Sequence, residues 1–103
     1  MVIFQLSEEI LKIAREVTAR EKPEEALTII LRRYIQGRIA ECEEEIKKFE
    51  SKYGMSIKDF YEKLGRDFPL TWEHERDYMD WDWAIAEIEE LKERLKKLEK
   101  YGS

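Results

Sequence analysis

The sequence predicts a mainly α-helical chain: a short N-terminal strand, then helices, two of them long and folded against each other as an antiparallel hairpin. Three observations carry this expectation. Between Glu24 and Tyr53 apolar residues recur three and four apart, the pattern of a helix with one buried stripe. Between Trp81 and Leu98 two seven-residue series interleave, Trp81–Ile88–Leu95 and Ala84–Leu91–Leu98, the seam of one helix lying along another. Only "VIFQL", Val2 to Leu6, is a β-favouring run, because β-branched and aromatic side chains suit a pleated surface.

In chain order, Ser7 ends that strand and caps a helix beginning "EEILKIAREVTARE", with Glu8 and Glu9 at the positive end of its dipole. Ile10, Leu11, Ile13, Ala14 and Val17 form its apolar face. "KPEE" breaks the chain and restarts it, since proline is tolerated in a first helical turn but not in a helix interior. From Glu24 the face is wide (Ala26, Leu27, Ile30, Leu31, Tyr34, Ile35). Beyond Gly37 it narrows to Ile39, Cys42, Ile46, Phe49 and Tyr53. Gly54 supplies a stop and Ser56 caps a short helix "IKDFYEKL", with Asp59 placed for a capping box. "GRDFPLTW" reads as a loop, and a last helix runs from about Asp77 to Lys100. The two seams suit a hairpin within one chain or a coiled coil between chains. Residues 1–37 are expected to form one segment and residues 38–103 the hairpin.

Composition bounds the function. The chain of 103 residues is 43% hydrophobic and 42% charged, which fits one compact domain and neither disorder nor a membrane protein. No apolar run approaches the roughly 20 residues needed to span a bilayer, and "MVIFQLSEEI" has no basic leader of the kind that opens a signal peptide. Cys42 is the only cysteine and has no internal partner, so a reducing cytoplasm is the economical expectation. The sequence has no Asn and two Gln, and its charge is mostly Glu, Lys and Arg. That balance is the thermophile pattern, in which labile amides are avoided.

The net charge of −5 is unevenly placed. Residues 1–37 hold six acids and six bases; residues 38–103 hold eighteen acids and thirteen bases. Asp67 to Glu90 carries nine acids against the single Arg76, and the same stretch holds Trp72, Tyr78, Trp81 and Trp83. Trp81 lies on the heptad seam and is expected in the core, with Tyr78 three residues before it on a neighbouring position. Trp83 sits about 200° from Trp81 on a helix and cannot share that face. It needs cover from the Phe68–Trp72 loop, a second subunit or a partner.

The order strand, helix, turn, helix in Val2–Gly37, with "LSEEI" at the first junction and "PEEALTIILRRYI" in the second helix, resembles the ribbon-helix-helix family of small dimeric DNA-binding proteins. The resemblance implies a homodimer, since one strand and two short helices bury too little alone. It also implies DNA reading by outward strand residues. Here alternation would send Met1, Ile3 and Gln5 outward, and only Gln5 can read a base edge. Glu24 and Glu25 beside Pro23 oppose the phosphate contact usual at the second helix. Ile3, Gln5, Lys12 and Lys22 are the DNA-binding candidates, and the plainer reading of the two lysines is a solvated helix face.

Many ribbon-helix-helix proteins are antitoxins, and "FESKYGMSIKDFYEKL" followed by the acidic aromatic stretch is similar in character to antitoxin tails. The resemblance implies that the C-terminal region neutralises a basic toxin, typically an RNase. The expected partner-binding residues are Trp72, Glu73, Glu75, Asp77, Tyr78, Asp80, Asp82 and Trp83: aromatics anchor interfaces, and acids steer a basic partner in. The alternatives are a DNA-binding transcriptional regulator and a self-associating helical protein. An enzyme is not expected, nor a metal or other cofactor. The single histidine, His74, has no acid three residues before it, Cys42 lies on the apolar seam, and the four glycines form no phosphate loop.

Overall fold

A computed structural model describes residues 7–101. Four helices follow one another: α1 (Glu8–Thr18), α2 (Pro23–Tyr53), α3 (Ile57–Lys63) and α4 (Trp72–Leu98). Among the described residues there is no strand beyond one isolated bridge between Leu64 and Phe68. The expected strand Val2–Leu6, with Ile3 and Gln5, lies outside the described residues. The ribbon-helix-helix unit expected around it finds no support in the fold, where α1 and α2 form a plain helix pair.

Local chemistry explains most helix ends. Ser7 caps α1 by accepting from the Glu9 amide at 3.2 Å. α1 stops at Thr18, earlier than "TARE" suggests, because Thr18 Oγ1 turns back to the Ala14 carbonyl at 2.6 Å and Ala19 adopts the left-handed conformation (φ 56°). Arg15 Nε then donates to the Glu21 carbonyl at 2.9 Å, closing the corner. Pro23 opens α2, and Gly54 closes it at φ 67°, a conformation that suits glycine, with its amide bonded to the Glu50 carbonyl.

α2 runs unbroken through Gly37, as the spacing between Glu24 and Tyr53 predicts, and the expected division between residues 37 and 38 falls inside that helix. An isolated helical glycine costs only about 1 kcal/mol against alanine, and Ile35 and Ile39 on either side both pack into the hairpin core. α4 starts at Trp72 instead of Asp77. Thr71 supplies the missed cap, its Oγ1 accepting from the His74 amide at 3.1 Å, and Glu73 and Glu75 fall in the first turn.

α2 and α4 pack along each other within the chain, so the hairpin reading holds. Both seams meet as expected: Ile39, Cys42, Ala84 and Leu91 are buried, and Ile35, Ile46, Ile88 and Leu95 pack against them. The molecule is a rod of 58 × 29 × 22 Å. Among the described residues no helix is long and apolar enough to cross a membrane.

The turn end is closed by aromatic rings. Trp81 is 1% exposed and Phe60 fully buried. Trp81 stacks on Phe49 (centroids 5.6 Å apart) and on Tyr53 (6.2 Å), while Phe60 lies 4.2 Å from Tyr53 and 5.3 Å from Phe68. His74 stands edge-on to Tyr53, Phe60 and Phe68, and its Nδ1 lies 2.6 Å from the Pro69 carbonyl. His74 therefore ties the loop to α4. At the other end α1 packs on the start of α2, where Ala26 and Thr28 are buried, yet no residue of α1 is itself buried.

Candidate functional site: the outer face of α4

The residues expected to bind a partner separate into two groups. Asp77 does not belong to the surface. It is 9% exposed and accepts from Lys52 Nζ at 2.6 Å and from the Tyr53 hydroxyl. The reason is its position one turn before Trp81, on the same face of α4, which turns it toward α2. Its partners Lys52 and Tyr53 close the end of α2. Glu73 sits beside it and accepts from the same Lys52 at 2.8 Å, so both acids are engaged in a clasp between α2 and α4.

This clasp sets a pH dependence. Burial pushes the Asp77 carboxyl up, but hydrogen bonds from Lys52 and Tyr53 and the Lys52 charge outweigh it, leaving its pKa below the ordinary value. A depressed folded pKa contributes stability that is present above the unfolded carboxylate pKa of about 3.9 and is lost as pH falls through the folded value. Burial, then the bond to Asp77, pushes the Tyr53 hydroxyl up to about 12. That contribution is complete below the unfolded tyrosine pKa of about 10 and disappears as pH rises through about 12. Thermal melts across pH should therefore show an acid fall below about pH 4, and Asp77→Asn should flatten the part of it that Asp77 contributes. Equal acid limbs for the variant and the wild type would show that the clasp does not set it.

The second group is open to solvent. Trp72 is 76%, Met79 65% and Trp83 56% exposed. Spaced by seven and four residues, they fall within about 40° of one line along α4, on the side opposite the core seam. Glu75 and Asp82 flank this line on one side and Asp80 on the other, all exposed, with Arg76 the one base beside it. Nothing in the described chain covers Trp83. The Phe68–Trp72 loop, one expected cover, packs instead on the aromatic cluster through Phe68. Tyr78 lies off this line, half-buried against Tyr61 with ring centroids 5.2 Å apart, and burial raises its pKa.

Sequence reasoning missed Met79, Tyr61 and Leu70, all more than half exposed. Met79 was legible, being seven residues after Trp72 and four before Trp83. Leu70 and Tyr61 were not, since they line an open depression with Glu62, Leu64 and Arg66 that only the fold of the loop creates. Cys42 is buried, and burial raises its thiol pKa, so it stays an unreactive seam residue. Lys12 and Lys22 are exposed, 10 residues apart in sequence on either side of the α1–α2 corner.

The family model described as "Uncharacterized protein MJ0235 family" covers residues 1–103. No curated protein and no solved structure matches the chain.

Proposed function

The chain belongs to the MJ0235 family, and we propose that it is a binding protein that captures a basic protein partner on the outer face of α4, in the manner of an antitoxin neutralising its toxin. The observation that carries this reading is the acid-flanked line of Trp72, Met79 and Trp83 opposite the core seam. A helix that buries one face in its own hairpin has no structural need for two tryptophans and a methionine on the other. Exposed apolar lines of this kind are suited to a partner's groove. The acids beside it select the partner's sign: they repel acidic surfaces and speed encounter with basic ones. An RNA-cleaving toxin fits, because its substrate site must be positive. Asp77 and Glu73 hold α4 in place for this role, with Trp72, Glu75, Met79, Asp80, Asp82 and Trp83 as the contact set.

The test is affinity capture by the wild-type chain and by two variants. Capture should retain a small basic protein. Trp83→Ala with Met79→Ala should weaken its binding by about 30-fold or more, the scale of a lost hot spot of 2 kcal/mol or above. Glu75→Lys with Asp80→Lys and Asp82→Lys should slow association and reduce its salt dependence. The purified partner's cleavage of RNA should be suppressed by the wild type and released by either variant. A captured protein held equally by all three chains would rule out this face.

A further inference from the structure

The end of the rod far from the aromatic turn leaves a second apolar surface open. α1 presents Ile10, Ile13 and Val17, spaced three and four apart on one side of the helix. α2 presents Leu27, Ile30, Leu31 and Tyr34 in the same manner. These side chains are between 39% and 72% exposed. The two helices pack on each other, so the stripes belong to one end of the molecule and not to scattered surface residues. We propose that this α1–α2 face is the docking surface for a second copy of the same chain, forming a two-fold dimer through this end of the rod.

The area matches that occupant. Seven large apolar side chains left about half open offer an area of the order of the ~800 Å² that each partner contributes to a standard interface. Charge points the same way. All of the net −5 lies in residues 38–103, while residues 1–37 balance six acids with six bases. The α1–α2 segment therefore adds little mutual repulsion between two copies, whereas the acid-flanked face of α4 repels its own kind. A neutral apolar face also offers no selection for the basic partner proposed above, so the two surfaces call for different occupants. In a two-fold arrangement the α1 stripe of one copy meets the α2 stripe of the other, and each contact is made twice.

Analytical ultracentrifugation of the full chain over a wide concentration range tests the proposal. The wild type should sediment as a dimer. Ile13→Glu with Tyr34→Glu places a charge on each stripe at positions more than half exposed in the single chain. That variant should be monomeric, or dissociate at least ~100-fold more readily, with unchanged helical circular dichroism. Should it lose helix content, Val17→Glu alone, at the most exposed of the seven positions, takes its place and should weaken the dimer at least ~10-fold. A wild type that stays monomeric throughout would overturn the proposal and assign the face to the chain's own first residues or to another protein. A dimer that survives the charged variants would overturn it too, moving self-association to the outer face of α4.

Discussion

Trp81→Ala is expected to cost about 3–5 kcal/mol. Trp81 is 1% exposed and touches rings from three directions: Phe49 and Tyr53 stacked from α2, and Phe60 tilted against it at 5.8 Å from α3. Removing the indole opens a cavity between three elements that no neighbour is long enough to fill. α2 and α3 are joined only by a tight turn at Gly54 and cannot close in without breaking their own caps. In a domain of this size each kcal/mol moves the melting temperature by about 4–8 °C, so the variant should melt roughly 12–40 °C lower. Trp83→Ala, two residues along, removes the same side chain from the solvent side and should stay within about 0.5 kcal/mol. A thermal melt of both variants decides the matter. Equal losses would mean that the hairpin does not depend on the aromatic turn.

The second large effect is expected at Asp77→Ala, with a loss of about 2–3 kcal/mol. The carboxylate holds Tyr53 and Lys52 together, and removing it takes from the part-buried Tyr53 hydroxyl the acceptor it bonds. Lys52 keeps Glu73 and its contact with water, which moderates the loss. Asp77→Asn preserves the shape and an acceptor for Tyr53, so its cost should be less than half as large. Chemical denaturation of the two variants at neutral pH distinguishes them. Similar losses for alanine and asparagine would place the weight on the Lys52 charge pair instead of the Tyr53 bond. Asp77 is therefore a poor position for testing partner binding: any change there disturbs the fold that presents the outer face.

The helical hairpin was legible in the sequence because both of its seams repeat over several turns. Trp81, Ala84 and Leu91 fall at heptad spacing, and Ile39, Cys42 and Ile46 answer them across the interface. Gly37 did not obscure α2, because the apolar spacing on both sides of it marks a single helix from Glu24 to Tyr53. The ends of elements were less legible. Thr71 is an ordinary helix cap, hidden by a preceding proline that marks the region as loop. The candidate site divided along the same line. Trp83 was placed on the outside by its angle from Trp81, which needs only the helical repeat. Asp77 was misplaced because an acid within an acidic run reads as solvated. Its burial depends on Lys52 and Tyr53, more than twenty residues away, meeting it across the hairpin.

The unbroken course of α2 has a consequence for how the two ends relate. A single helix of 31 residues joins the α1 end to the aromatic turn, and a helix of that length is about 45 Å of stiff rod. There is no swivel between the apolar end and the acidic one. Their relative azimuth is set by residue count alone, since each residue advances the helix by about 100°. One residue inserted near Gly37 would leave each end chemically intact and turn one against the other by more than a quarter of a circle. Any assembly that engages both ends at once must tolerate that fixed phase, and the chain length between Pro23 and Tyr53 becomes a geometric specification as strict as any contact residue.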